Sequence, residues 1–392
     1  MKSNYRKLGE YIRQVDVRNT EGKEDHLLGV SVQKMFMPSI ANTIGTDFSK
    51  YKVVKRGQFT YIPDTSRRGD KIAIALLKDY DEGIVSNIYT VFEISDSQKL
   101  LPEYLMLWFS RPEFDRYARF KSHGSVREIM DWDELCKVEL PIPSYEAQAE
   151  IVREYQTIAD RIALKQKIND NLEATAKAQF EKIFAPLYEK QCCQDGWNLC
   201  KLGDICMVKG GKRLPADSEL LSTPTKHPYV RVRDLGKNRY ICLTDEFQYI
   251  DDETYDSISR YIVGTNDIVI SIVGTIGLIG KIHSSLKGAN LTENCVKLTQ
   301  LQKITADYLY YTLSHKKDSG EIDLLSVGAV QAKLPIYNIQ SIPILIPPND
   351  ILEKFQAHIN AFNESVEANT VEIQRLKGLS NILLSKLSVL SR

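Results

Sequence analysis

The sequence contains no run of apolar residues long enough to cross a lipid bilayer. The longest such run extends from Ile268 to Gly280, well short of the roughly 20 residues that a membrane-spanning helix needs. The opening residues, MKSNYRKLGEYIRQ, contain no apolar segment like that of a signal peptide. We therefore expect neither secretion nor a membrane partner, and we expect a cytoplasmic protein.

Cysteine and histidine are too few and too scattered to indicate a disulfide framework or a metal site. The seven cysteines are an odd number, which fits reduced thiols better than paired ones. Cys192, Cys193, Cys200 and Cys206 show no CxxC spacing, and the six histidines form no pair at metal-ligand spacing. We therefore expect no bound metal and no cofactor.

Catalytic signatures are also missing from the sequence. GTIGLIGKI, from Gly274 to Ile282, resembles a phosphate-binding loop, but Ile282 stands where that loop requires a metal-binding hydroxyl. We interpret it as a buried strand pair with a tight turn. The sequence also lacks a G-x-S-x-G nucleophile setting, a dinucleotide-type glycine fingerprint and an Asn/Asp-Pro-Pro-aromatic segment. We therefore expect no catalytic residues and a chain that is not itself an enzyme.

Net charge is absent as well, because 51 Lys and Arg balance 51 Asp and Glu. Locally the balance is different. Lys50 to Lys78 contains eight basic residues against two acidic ones, and Lys209 to Arg239 contains eight against three. One basic segment thus falls in each half of the chain. Both a solvated surface and a nucleic-acid contact are compatible with such segments.

A repeated phrase divides the chain into two similar halves. ELPIPSYEAQAEIV at 139–152 returns 204 residues later as PILIPPNDILEKFQ at 343–356, and each half opens on KLG. PEYLMLWFS and ADYLYYTLS, short apolar helices aligned through Tyr104 and Tyr308, show the same 204-residue offset. Because proline disfavours helix at the preceding residue, LPIP and LIPP each predict the end of a strand before a new helix.

A long helix is predicted after each proline phrase. The apolar residues recur in steps of four, three and four, which is typical of a coiled coil. Lys165 and Asn369 interrupt the two stripes at equivalent positions, and such polar residues can hold two helices in one register. In the alternative interpretation, each helix packs only on its own domain. The two stripes begin with Ile151, Tyr155, Ile158 and Ile162, and with Phe355, Ile359, Phe362 and Val366.

We therefore predict an α+β fold with an internal pseudo-twofold repeat. Two globular α/β domains, residues 1–143 and 190–347, are separated by two long antiparallel helices that form a coiled coil. The helices are predicted at residues 144–189 and 348–392.

This order of segments resembles that of the specificity subunits of type I restriction-modification systems. The resemblance is carried by LLGVSVQKMF, SKYKVVKRGQF and LPEYLMLWFSRPEFDRYARFKSHGSVREI in the first half, and by VKGGKRLP, GTIG and YLYY in the second. VGAVQAKL departs from the more usual GATQ or GSTQ. The resemblance implies two target recognition domains that each read one half of a bipartite, asymmetric double-stranded DNA target. It also implies two modification subunits that methylate adenine and restriction subunits that cleave unmodified DNA.

Candidate DNA contacts are Lys34, basic residues of the two basic segments, and polar or basic residues of the loops before the proline phrases. Arginine can form paired hydrogen bonds with guanine, while lysine and serine more often hold phosphates. In the alternative, each is an exposed side chain without a DNA contact. The candidates are Lys34, Arg67, Arg68, Lys71, Ser122, His123 and Arg127 in the first half, and Lys209, Lys212, Arg213, Arg231, Arg233, Lys237 and Gln331 in the second.

A second hypothesis is a coiled-coil adaptor whose two domains bind proteins. It predicts no sequence-specific retention of DNA in the presence of partner subunits. A third hypothesis, a single-chain enzyme, requires a methyl-donor or nuclease motif, and we find none in the sequence.

Overall fold

The computed structural model describes residues 5–39, 45–65, 69, 71–122, 128–190, 196–236, 238–244, 246–328 and 332–388. The chain forms two compact units, the first from Met1–Leu164 with Arg375–Arg392 and the second from Lys165–Gln374. The domain limits drawn from the sequence stay a prediction, because these units divide within the two long helices. No helix in the described ranges is both long and apolar enough to span a membrane.

Two long helices follow the two proline phrases, as the sequence predicts. They are α4 (Tyr145–Lys190) and α9 (Asn349–Lys386). The other elements before α4 are β1 (Tyr5–Lys7), β2 (Ile12–Val15), β3 (Leu27–Val30), β4 (Phe36–Pro38), β5 (Lys52–Lys55), β6 (Phe59–Ile62), β7 (Ala73–Leu76), β8 (Glu82–Val85), β9 (Thr90–Ile94), α1 (Pro102–Phe109), α2 (Pro112–Lys121), α3 (Trp132–Cys136) and β10 (Glu139–Pro141).

The chain between the long helices contains a second set of strands and short helices. These are β11 (Asn198–Lys201), β12 (Met207–Gly210), β13 (His227–Val230), β14 (Tyr240–Ile241), β15 (Gln248–Ile250), α5 (Asp252–Ile258), β16 (Ile268–Ser271), β17 (Ile279–Ile282), β18 (Asn290–Leu291), β19 (Cys295–Thr299), α6 (Ala306–Asp318), α7 (Glu321–Leu324), α8 (Ile336–Gln340) and β20 (Pro343–Ile346).

The first unit is built on two sheets, with strand orders β2-β9-β6-β7 and β4-β3-β8-β5. Its core contains aromatic rings: Phe59 and Phe92 stack at 4.9 Å, and Phe109 of α1 lies edge-on to both. Leu384 and Leu387, at the end of α9 and just after it, are buried in the same core. The alternative that each long helix packs only on its own domain is therefore wrong.

The second unit has sheets of order β12-β19-β16-β17-β14 and β15-β13-β18. Strands β16 and β17 pair antiparallel, and the Ser271 amide donates to the Leu278 carbonyl at 3.0 Å. GTIGLIGKI is therefore part of a strand pair, as predicted, and not a phosphate loop. Phe180 and Phe184 of α4 and Phe355 of α9 are buried in the main core of this unit.

The repeated KLG and proline phrases are partners in each half of the chain. Strand β1 pairs antiparallel with β10, and β11 pairs antiparallel with β20, so the first strand of each half closes against its last strand. The buried Tyr104 hydroxyl donates to the Pro141 carbonyl at 3.0 Å, and the Tyr308 hydroxyl donates to the Leu345 carbonyl at 2.6 Å. The repeat in the sequence therefore encodes the same pairing of first and last strands, with the same buried tyrosine, in each half of the chain.

Within the second unit, the polar interruption of the helical stripes joins the two long helices. Lys165 donates to the Asn369 side-chain oxygen at 2.9 Å and forms an ion pair with Glu372 at 2.9 Å. Phe180 lies near Phe355, with ring centroids 6.1 Å apart. Contacts between 165 and 369 and between 180 and 355 require the helices to run antiparallel, which confirms the predicted coiled-coil pairing.

Candidate nucleic-acid interface

Lys34 lies in the turn between β3 and β4, and its ammonium group is turned into the first unit. It donates to an Asp115 carboxylate oxygen at 2.5 Å and to the Ile72 carbonyl at 2.6 Å, and its side chain is only 8% exposed. Burial lowers the pKa of Lys34, and Asp115 opposes this shift only in part. The charge of Lys34 is therefore matched inside the protein, and its contact with DNA stays a prediction.

The other first-half candidates differ in their surroundings. Lys71 is exposed. Ser122 is buried, accepts a hydrogen bond from the Thr65 hydroxyl at 2.8 Å and donates to the Ala118 carbonyl at 2.7 Å. Of this group, Lys71 therefore offers the more accessible polar atoms. Arg67, Arg68, His123 and Arg127 lie outside the described residues.

The GGK segment of the second half forms a tight backbone crossing at the end of β12. The Gly211 amide donates to the Cys295 carbonyl at 3.0 Å, and the Lys212 amide donates to the Leu291 carbonyl at 2.8 Å. A Cβ on Gly211 would lie 2.1 Å from the Thr292 carbonyl oxygen, so glycine is required by this approach of two backbones. The segment is therefore a turn that backbone hydrogen bonds hold in place.

Three candidate cations surround this turn. Lys209 is exposed on β12. The exposed Lys212 ammonium lies 5.8 Å from the Tyr261 ring centroid, within the range of a cation–π interaction. Arg213 forms an ion pair with Glu293 at 2.9 Å, but its side chain is 81% exposed. The structure thus places these three basic groups on one short exposed stretch, where they can reach phosphates.

Arg231 and Arg233 follow strand β13 but point to different surroundings. Arg231 pairs with Asp234 at 3.1 Å and also donates to Gln248, and its side chain is only 11% exposed. Arg233 is exposed. The two arginines are close in sequence but differ in accessibility, because Arg231 forms an ion pair within the protein and only Arg233 is exposed to solvent. Lys237 and Gln331 lie outside the part of the chain that the structure describes.

A buried charge cluster in the second unit was missed by the sequence analysis. Lys281 donates to Asp307 at 2.6 Å, and Arg239 lies 3.7 Å from the same carboxylate and 3.2 Å from Glu173 of α4. Asp307 also accepts from Gln356 of α9 at 2.9 Å. A lysine within the apolar IGKI segment could have signalled it, because a charge in such a run needs a buried partner.

The pKa values within this cluster follow from its burial and its charges. Burial alone would raise the pKa of Asp307, but Lys281 and the hydrogen bonds to the carboxylate hold that pKa below its ordinary value. Burial raises the pKa of Glu173, with Arg239 opposing it. Arg239 belongs to the second basic segment of the sequence, yet its side chain is 3% exposed. The number of basic residues in that segment is therefore larger than the number of cations that a ligand can reach.

The described residues contain no group of three or more His, Cys, Asp or Glu side chains placed to hold a metal ion. What the two units expose instead are hydrogen-bond donors. Lys71, Lys209, Lys212, Arg213 and Arg233 are all exposed and end in cationic groups. Such groups can contact phosphates and the acceptor atoms of bases without any chemical step.

The chain is similar to proteins of known family in sequence and in fold. The family described as "Type I restriction modification DNA specificity domain" matches residues 194–380. The chain is 26% identical over 309 residues to the type I restriction enzyme MjaIX specificity subunit of Methanocaldococcus jannaschii, covering 74% of this chain and 68% of that one. It is 22% identical over 405 aligned residues to the HindI specificity subunit of Haemophilus influenzae, covering 86% of each.

A solved structure shows the same fold over nearly the whole chain. The crystal structure of the type I restriction-modification system S subunit from M. genitalium matches with a TM-score of 0.53 at 15% identity. The match covers 99% of this chain and 96% of that chain.

Proposed function

We propose that the chain is a type I restriction-modification specificity subunit. In this role it recognises a bipartite, asymmetric DNA sequence. Residues 1–143 read one half of the target and residues 190–347 read the other. One observation supports this most. The two halves share the closing strand pair and the buried tyrosine. The residues that follow β3 and β13 differ in identity, SVQK at 31–34 and RVRD at 231–234. Two domains that share these framework contacts and differ in their surface residues are suited to recognising two different base sequences.

In this proposal the chain directs chemistry that its partners perform. Two modification subunits methylate adenine, restriction subunits cleave unmodified DNA, and this chain binds no cofactor. The complex acts in the cytoplasm. Because the net charge of the chain is zero, the partner subunits supply much of the phosphate contact that DNA affinity requires.

The proposal is tested by expressing the chain with the modification subunits of its own host and sequencing the methylated adenines. We expect one split target whose two halves differ, and no such methylation when this chain is omitted. A palindromic or continuous target contradicts the two-reader assignment. The adaptor hypothesis predicts instead an assembled complex that retains no specific DNA sequence.

A further inference from the structure

Equivalent turns follow β3 and β13 in the two halves of the chain. LLGVSVQKM at 27–35 and HPYVRVRDL at 227–235 align with an offset of 200 residues. Strand β3 pairs parallel with β8 and antiparallel with β4, and β13 pairs parallel with β18 and antiparallel with β15. The two segments therefore occupy the same place in their respective sheets.

The valines of these segments fix which neighbouring residue faces outward. Val30 and Val230 are buried, and Val32 and Val232 pack against hydrophobic clusters of their own units. The next residue along is Gln33 in one half and Arg233 in the other, and both are exposed. Neither side chain has a hydrogen-bond, ion-pair or ring partner within the described ranges, so both are available to a ligand.

The backbone beside Gln33 is held in an unusual conformation. Lys34 has φ +66°, in the left-handed region that normally favours glycine or asparagine. Glycine would remove this strain but could not reach Asp115 and Ile72, which hold the Lys34 ammonium. The lysine therefore positions the turn through its buried side chain. Strain that the surrounding structure maintains in this way is characteristic of functional sites.

The second turn is fixed by different residues. Asp234, at the position of Lys34, accepts from the Arg231 amide at 2.9 Å and pairs with the Arg231 guanidinium, and both side chains are only 11% exposed. Of the two residues between them, Val232 packs against the hydrophobic cluster and Arg233 carries the free side chain. In both halves, buried charges thus immobilise a turn and leave one long polar residue projecting from it.

We propose that Gln33 and Arg233 are the equivalent base-reading residues of the two halves, Gln33 for an adenine in one half-site and Arg233 for a guanine in the other. A glutamine amide can pair with N6 and N7 of adenine, and a guanidinium can pair with O6 and N7 of guanine. A turn fixed by buried charges keeps the geometry that such paired bonds require. The inference rests on the proposed function, because it assumes that each half reads DNA.

The test compares the methylated sequences produced by complexes that contain Gln33→Ala or Arg233→Ala. Each variant is expected to relax one base position in one half-site, and the two variants are expected to affect opposite half-sites. Discrimination at that position falls by about 5- to 150-fold, the usual value of one paired base contact. Gln98→Ala and Arg260→Ala, exposed residues of the same types in the same units, serve as matched controls and leave the target unchanged.

Gln33→Glu supplies a second, independent measurement. A carboxylate accepts from the N4 amine of cytosine, so the preferred base at the relaxed position changes from adenine towards cytosine. Unchanged target sequences for both alanine variants overturn the inference. Uniformly weaker methylation at every sequence also overturns it, because that result indicates phosphate contacts. If Gln33→Ala and Gln33→Glu both fail to assemble with partner subunits, Gln33 is structural and the inference is again wrong.

Failure of the proposed function has a different signature. In that case the wild-type complex itself methylates no split target, and no comparison between variants arises.

Discussion

The buried cluster around Asp307 provides a sharp test of how the second unit is stabilised. In Asp307→Asn the side chain keeps nearly the same shape and can still accept hydrogen bonds from Gln356 and Asn363. What it loses is one negative charge. Lys281 and Arg239, 4% and 3% exposed, are then left with Glu173, which is 31% exposed, as the remaining anion of the cluster.

The expected cost follows from this imbalance. Removing one partner of a buried ion pair destabilises a protein by about 3–5 kcal/mol, because the other charge stays buried without compensation. For a unit of this size, each kcal/mol lowers the melting temperature by roughly 2–4 °C. We therefore expect the second unit of Asp307→Asn to melt roughly 6–20 °C below that of the wild-type chain.

The assay must report on the second unit alone. Trp197 lies in that unit and is buried against Phe184, with ring centroids 6.1 Å apart, whereas Trp108 and Trp132 belong to the first unit. Fluorine NMR of the chain labelled with 5-fluorotryptophan separates the three signals. The loss of the native Trp197 signal on heating then gives the melting temperature of the second unit.

A matched control comes from Asp318, which pairs with Lys177 at 2.6 Å but is 57% exposed. Exposed ion pairs contribute at most about 1 kcal/mol, so Asp318→Asn is expected to melt within a few degrees of the wild-type chain. If Asp307→Asn also melted within that range, the charge of Asp307 would not stabilise the second unit.

Three further predictions concern pH, backbone packing and helix length. The pKa of Asp307 in the folded chain is held below its ordinary value of about 3.9. The ionised carboxylate therefore stabilises the folded chain above about pH 3.9, and this contribution is lost as the pH falls through the folded-state pKa. The difference in melting temperature between wild type and Asp307→Asn should therefore narrow from about pH 6 to about pH 3. Gly211→Ala should prevent native packing of the second unit, measured by the Trp197 signal, while Gly210→Ala, which has room for a Cβ, should leave it intact. Inserting four helical residues after Leu164 and four after Gln374 should lengthen the unread spacer of the DNA target by one or two base pairs. The estimate uses about 1.5 Å per helical residue and about 3.4 Å per base pair. An unchanged spacer in the methylated sites would contradict the hypothesis that the helices set the distance between the half-sites.

The insertion points avoid the stretch of the first long helix that packs in the main core of the second unit. Ala178 belongs to that stretch, because it lies between Ala176 and Phe180, both of which are buried in this core. An insertion there would displace Phe180 and Phe184 from that core and would test stability in place of helix length.

Much of the fold follows from the sequence because it is encoded locally. Proline restricts the residue before it, and a helical stripe repeats every three or four residues, so the proline phrases and the long helices can be recognised without knowing their partners. The 204-residue repeat adds the relation between the halves. The observed helices, Tyr145–Lys190 and Asn349–Lys386, begin within a residue or two of the positions that the prolines predict.

The partner of a charged side chain is decided only by the tertiary structure. Lys34 forms an ion pair with Asp115, 81 residues away in the sequence, and Lys281 forms one with Asp307, 26 residues away. An apolar neighbourhood such as IGKI around Lys281 can indicate that a lysine is buried, but it does not identify the carboxylate that pairs with it. The sequence therefore located the basic segments. Only the tertiary structure decided that Lys34 and Arg231 form ion pairs within the protein and that Gln33 and Arg233 are exposed. The physical reason is that a residue type fixes the charge of a side chain, whereas the residues packed around that side chain decide whether a ligand can reach it.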